Sequence, residues 1–223
     1  MVTGYLDVLK RGAASEPREQ ARVLTAARTE LERLSRVVDD LLTLARLGAG
    51  APLHRQGLEV SGLMYDAAQR ARLLAPTRQV HVQCPVLPVL PVDPDRMRQV
   101  LNNLVDNALR HTPPGADISL GAELRSESLC LWVHDTGPGI AAEHLPHVFE
   151  RFWRADASRS HGKGSGLGLA IVAAIVEAHG GAVSVDSSPG RGTTFTICLP
   201  LHIQEKPLAP EAIFSSPPRK ARV

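Results

Sequence analysis

Residues 93–112, DPDRMRQVLNNLVDNALRHT, place two carboxamides, a guanidinium and an imidazole on one helical stripe. Asn103 and Asn107 are four apart, and Arg110 and His111 follow three and four positions later, so the side chains stack turn above turn. Amide oxygens are hard, neutral ligands for Mg²⁺, and arginine pairs with phosphate oxygens. The chemistry this stripe fits is therefore a metal–phosphate ligand. A solvated polar face is the alternative. Asparagine is a poor helix former, costing a few tenths of a kcal/mol per residue, which tilts the balance only slightly towards function.

Two glycine runs add to the signal. Asp135-Thr-Gly-Pro-Gly-Ile140 follows an apolar, strand-like run. A carboxylate at a strand end projects into a cleft, and Gly137 and Gly139 let a flat ligand approach the backbone. A carboxylate that accepts from an exocyclic amine selects adenine over guanine, which presents a carbonyl there. The second run is Gly162-Lys-Gly-Ser-Gly-Leu-Gly168, containing Lys163, Gly164, Gly166 and Leu167 and followed by Leu169. It opens a helix expected from Ser165, and free N–H groups at a helix start bind phosphate. No Gly-Lys-Ser/Thr closes it, so it is not a P-loop. Between the runs, Val148-Phe-Glu-Arg-Phe-Trp-Arg154 offers aromatic anchors at Phe149 and Phe152 and arginines at Arg151 and Arg154. The polar stretch that follows, about 154–163, is a candidate lid. Taken singly, each feature also reads as an ordinary turn, loop or solvated face.

The elements that position these residues are legible. Asp93 is an N-cap and Pro94 fits the first helical position. Met97, Val100, Leu101, Leu104, Val105 and Ala108 form the helix's apolar face. Upstream, a long helix is expected over 18–47. Leu24, Ala27, Leu31, Leu34, Val38, Leu41 and Ala45 alternate spacings of three and four along it, which is a heptad seam. Val23, Val37 and Leu44 widen the seam, as a four-helix bundle requires. Residues 1–11 look like the tail of a helix without a beginning, and one chain cannot bury the seam, so a partner chain is expected. Residues 48–52 read as a linker, 58–60 as a strand, and Ser61 as the cap of a helix to about Leu74. Strands are expected at 80–84, 118–124, 129–133, 183–185 and 193–199, with a hairpin turn at 125–128 and a glycine stop at 179–181. The proline-rich end, 203–223, reads as disordered.

Composition sets bounds. The 223 residues carry a formal charge of +2, which implies no nucleic-acid partner, and no apolar run reaches membrane-spanning length. Cys84, Cys130 and Cys198 are far apart in apolar runs and read as buried free thiols in a reducing compartment.

The order and spacing of these motifs resemble the catalytic half of bacterial sensor histidine kinases, in the superfamily that includes gyrase and the heat-shock chaperone ATPases. Residues 103–112 resemble the family's asparagine box, 135–140 its first glycine box, 149–152 its phenylalanine box and 164–169 its second glycine box. Thr193-Thr194-Phe195 resembles the strand whose threonine helps hold adenine, with Thr194 taken as that residue.

The resemblance implies an α/β (α+β) sandwich of the Bergerat type, three helices on a mixed sheet, with ATP under a mobile lid and a helical hairpin of a dimerisation bundle before it. It implies Asn107 as principal Mg²⁺ ligand with Asn103 beside it, Arg110 on phosphate, and His111 where the family often has an aromatic ring. The implied organisation is a partial dimerisation segment at 1–47, a linker, an ATP-binding domain at 53–202 and a tail. The implied partners are a response regulator and a second copy or an intact kinase through the 24–45 seam, in the cytoplasm beneath a membrane-bound parent sensor.

One departure stands out. The family's acceptor histidine sits in a His-Glu/Asp-x-Arg-Thr-Pro context, and none of the nine histidines has it. The expectation is that Met1 is an internal methionine or the gene a truncated copy. The rival reading is a nucleotide-binding regulator that pairs with an intact kinase without transferring phosphate. A serine-directed anti-sigma-type kinase fits the heptad helix and the phenylalanine box poorly.

Overall fold

The structure, a computed structural model, describes residues 17–154 and 165–201. The expected helix tail at 1–11, Lys163 and Gly164 with most of the candidate lid, and the expected disordered tail lie outside the described residues.

Helix α1 is Pro17–Gly48, within a residue of its expected span at each end. A short strand β1 (Gln56–Leu58) follows, then α2 (Val60–Leu74), β2 (Val80–Gln83), β3 (Leu90–Val92) and α3 (Pro94–His111). The hairpin β4 (Ile118–Arg125) and β5 (Ser128–Asp135) comes next, then α4 (Gly168–Ala178), β6 (Ala182–Ser188) and β7 (Gly192–Pro200). The main sheet has order β2-β4-β5-β7-β6. β2 and β4 run parallel, as a crossover through α3 requires, and the other pairs are antiparallel, so the sheet is mixed.

The core lies between this sheet and helices α2, α3 and α4. Period-two alternation sends Leu129, Leu131 and Val133 of β5 and Phe195, Ile197 and Leu199 of β7 inward, all buried. The α3 face predicted from the sequence, Met97 to Ala108, is buried entire. Each of its larger side chains contributes about 1.5–3 kcal/mol by leaving water. Asp93 caps α3 by accepting from the N–H groups of Asp95 and Arg96, and Oδ2 accepts a third bond from the His54 N–H at 3.0 Å. The Asp93 N–H donates to Nε2 of the buried His179, whose Nδ1–H donates to the Ile175 carbonyl. α4 ends as expected: Gly180, at φ +76°, donates to Glu177 and Gly181 donates to Val176.

Several expectations change. The proline-rich turn contains β3, which pairs antiparallel with β1; three residues interrupted by Pro91 carry no alternation signal. β1 lies two residues earlier than expected. The cap of α2 is Glu59, and Ser61 is inside the helix with its hydroxyl donating to Glu59 Oε1 at 2.7 Å. Cys130 and Cys198 are directly opposed across β5 and β7 and joined by a disulfide, so they are not free thiols; only Cys84 is free, and it is partly exposed. Residues separated by 68 positions become neighbours only through strand register. On α1, Leu44 does not widen the seam but joins this chain's own core at 3 % exposure, with Val37 packed against it, because the end of α1 docks on α4. The seam itself stays open in the single chain, with Leu31 at 55 % exposure. No described helix is long and apolar enough to cross a membrane.

Candidate functional site

The second half of α3, the end of β5, the loop after it, the start of α4 and the side of α1 enclose a cavity of about 570 Å³. The predicted stripe lines one wall: Asn103, Asn107, Arg110 and His111 all face it. They do so because the opposite stripe of α3 is held in the core. The Asn103 side-chain N–H donates to the Gly168 carbonyl at 3.2 Å, which ties α3 to the start of α4 and leaves the amide oxygen as an acceptor. Among the described residues no cluster of three or more His, Cys, Asp or Glu is placed to hold a metal; the oxygen donors along this wall are the two carboxamides, with the carboxylates of Asp106 and Asp40 in the same lining. His111 is exposed as a whole, but partial desolvation against the cavity wall, with the charges of Arg110 and Arg154, holds its imidazole below its usual pKa.

Asp135 is the last residue of β5 and is buried, with its carboxyl at the cavity. Burial pushes that carboxyl above the usual range; the Gly137 N–H, donating to Oδ1 at 2.9 Å, works against the rise, as do His134, Arg78 and Thr193. The glycines after it are needed by packing. A Cβ on Gly139, at φ +75°, would overlap the Ser188 carbonyl, and one on Gly137 would come within 2.6 Å of the Asp135 carboxyl. The Ile140 N–H donates to Ser187 Oγ at 2.8 Å, fixing the loop against β6. Ile140, Val148, Trp153 and Phe195 supply apolar surface near Asp135 and the loop.

α4 begins at Gly168, three residues later than expected, with Leu167 at its N-cap, whose apolar side chain makes no cap hydrogen bond to the first turn. Gly168 and Leu169 line the cavity, as does Gly166, at φ +70°. The Gly166 carbonyl accepts from the Phe152 N–H at 2.8 Å, a clasp that ties the end of the aromatic motif to the residues before α4. Arg154 lines the cavity at that clasp.

Four predicted residues stand elsewhere. Gly137 backs Asp135 rather than lining the cavity, and Leu167 is fully buried in the core. Phe149 packs edge-on to Phe195 at 6.1 Å. Thr194 faces the other side of the sheet, where its hydroxyl meets His134 Nδ1 at 2.9 Å. The threonine at the cavity is Thr193, paired in register with Asp135. Sequence reasoning also missed Asp40. This carboxylate of α1 reaches the cavity, hydrogen-bonds to Ser165 and is pushed up in pKa chiefly by burial. Nothing local in the α1 sequence marks it. Trp153 and Phe195 line the cavity too; they lie within the aromatic and threonine motifs, and their aromatic character is the available signal.

A family model described as histidine kinase-, DNA gyrase B- and HSP90-like ATPase matches residues 92–203, half of the chain and the whole of this cavity's main walls. The chain belongs to that ATPase family. A second model, the His kinase A phospho-acceptor domain, matches residues 1–50. The chain is similar to the probable sensor histidine kinase TcrY of Mycobacterium tuberculosis, 43% identical over 202 residues, covering 90% of this chain and 42% of that protein. It is 39% identical over 204 residues to the sensor protein SrrB of Staphylococcus aureus, covering 90% and 35%. The chain thus spans less than half the length of either relative. Among solved structures, the Acinetobacter baumannii histidine kinase AdeS matches with TM-score 0.75 and 25% identity, covering 91% of this chain and 94% of that one. Full-length ShkA in complex with AMPPNP matches with TM-score 0.71 and 32% identity, covering 83% and 39%. As a member of the histidine kinase-like ATPases, the chain has the family's mixed sheet with helices on one face.

Proposed function

We propose that this chain is the ATP-binding kinase part of a sensor histidine kinase, binding Mg·ATP and presenting the γ-phosphoryl to a histidine ring nitrogen. The observation that carries the reading is a single cavity with Asp135 at one place in its wall and the Asn103–Asn107–Arg110 stripe facing the uncapped start of α4 at another. Asp135 accepts from the adenine amine. Ile140 and Phe195 cover the base. Arg110, Arg154 and the first N–H groups of α4 take the phosphate oxygens. The carboxamide oxygens of Asn107 and Asn103 fit Mg²⁺ as hard, neutral donors, and the metal when bound neutralises phosphate charge. Catalysis by these residues is positioning and electrostatics; a neutral imidazole acceptor needs no strong base here.

The acceptor is a histidine that these 223 residues do not contain in the family's motif. The organisation we infer is a dimerisation segment at 1–47, a linker at 48–52 and the nucleotide domain at 53–202. The seam of α1 pairs with a second copy or an intact kinase, and a response regulator receives the phosphoryl group. The place of action is the cytoplasm.

Calorimetry on the 223-residue chain tests the site. Asp135→Asn removes one charge-assisted bond, about 1.5–3 kcal/mol, and weakens ATP about 10- to 150-fold. Asn107→Asp puts a charge beside the phosphates and weakens Mg·ATP binding or abolishes turnover. Parent-like ATP binding by both variants refutes the assignment.

A further inference from the structure

We propose that Arg78, which lies outside the cavity, is a positioning residue for Asp135 and so a determinant of adenine over guanine. The inference rests on Asp135 being the base-recognising carboxylate. Arg78 sits between α2 and β2, and its side chain crosses to the C-terminal end of α3. There Nη2 donates to the Thr112 carbonyl at 2.7 Å and Nη1 donates to Thr112 Oγ1. Thr112 is the C-cap of α3 and is buried, and its own hydroxyl proton goes to the Ala108 carbonyl at 2.7 Å. A planar fork meeting a carbonyl and a hydroxyl holds one rotamer of the threonine in a way a lysine cannot. The consequence reaches the site through the threonine methyl. A Cβ placed on Gly137 would lie 2.8 Å from Thr112 Cγ2 and 2.6 Å from Asp135 Oδ1, so the three groups are packed together. Gly137 in turn donates its N–H to that same Oδ1. Arg78 therefore sets the position of the carboxylate through Thr112 and Gly137.

The same guanidinium acts on Asp135 by charge. Burial raises the carboxyl, and the Gly137 N–H, His134 in β5, the Arg78 guanidinium and the Thr193 N–H oppose the rise. Thr193 of β7, Gly137 in the loop and Thr112 of α3 are uncharged, while Arg110 and His111 of α3 line the same cavity. Loss of the Arg78 charge moves the Asp135 titration upward in pH. Once protonated, the carboxyl no longer prefers an amine donor to a carbonyl, and discrimination falls.

The test measures ATP and GTP affinities of the 223-residue chain, with Mg²⁺, from pH 5.5 to 8. Their ratio cancels titration of the triphosphate, and His134 is common to all variants. In the parent the ratio falls towards acid pH. In Arg78→Met it is at least tenfold lower at pH 7.5, with the fall starting at higher pH; Arg78→Lys restores the pH of the fall but not the full ratio. Thr112→Val, which keeps the charge and removes the hydroxyl, lowers the ratio without moving the fall, and serves where a melt shows that Arg78→Met does not fold. A ratio curve for Arg78→Met superimposed on the parent's, or an unchanged ratio in Thr112→Val, overturns the inference and leaves the site standing. A parent with no preference for ATP at any pH overturns the Asp135 assignment itself, and this inference with it.

Discussion

Asp93→Ala tests the element on which the site depends, because Asp93 starts the helix that carries Asn103, Asn107 and Arg110. Oδ1 accepts from the N–H groups of Asp95 at 3.2 Å and Arg96 at 3.1 Å, and Oδ2 from that of His54 at 3.0 Å. Losing the cap costs about 1 kcal/mol, and losing the bond from the exposed His54 about 0.5–1.5 kcal/mol more. The sum is about 1.5–2.5 kcal/mol. A chain of this size loses about 2–4 °C per kcal/mol, so the melting temperature falls by about 3–10 °C. Asp93→Asn keeps an oxygen at the cap and loses less, since Asn caps about as well as Asp.

The loss depends on pH. Burial alone would raise the Asp93 carboxyl, but backbone N–H donors from Arg96, His54 and Asp95 and the Arg96 charge bring it below its usual value. A carboxyl held low in the folded state stabilises above its unfolded pKa, and that contribution is lost as pH falls through the folded value. The gap between parent and Asp93→Asn is therefore full at pH 7 and closes below about pH 4. Urea denaturation followed by far-UV circular dichroism at pH 7 and at pH 3 measures both. An Asp93→Ala chain within about 0.5 kcal/mol of the parent at pH 7, the ordinary range for a surface change, refutes the reasoning. So does an Asp93→Asn gap of equal size at the two pH values.

Three other outcomes follow from the packing. His179 is buried and neutral, with desolvation holding its pKa low. The unfolded chain takes up a proton that the folded chain refuses, so stability falls as pH drops below about 6.5, and His179→Asn flattens that slope between pH 7.5 and 5.5 in urea titrations. Leu44→Ala leaves a void in the core and costs about 2–4 kcal/mol, whereas Leu31→Ala leaves monomer stability within about 0.5 kcal/mol and weakens self-association in sedimentation. Gly121→Ala drives a Cβ into the Trp132 ring, which packs against that glycine. It costs about 1–3 kcal/mol and shifts indole emission to the red in a Trp153→Phe background; unchanged emission contradicts the packing.

The sequence by itself determined what is local. A cap, a first-turn proline and a 3.6-residue repeat specify α3 from Asp93 to His111, and the polar stripe is the complement of the apolar one, so its facing outward needed no knowledge of the partner. The two-residue turn in the β4–β5 hairpin and the glycine stop after α4 are equally local, as are the glycines that only a close backbone approach requires. Register and docking decided the rest. Thr193 and Thr194 have the same chemistry, and only the pairing of β7 with β5 puts Thr193 beside Asp135 and Thr194 against His134 on the far face. The same register opposes Cys130 to Cys198 across 68 positions, and the docking of α1 on α4 turns Leu44 into the core and brings Asp40 to the cavity. Shifting a strand by one residue moves every side chain to the other face, and helix docking joins residues more than a hundred positions apart. Neither leaves a mark in the residues themselves, because both are properties of the contact between two elements.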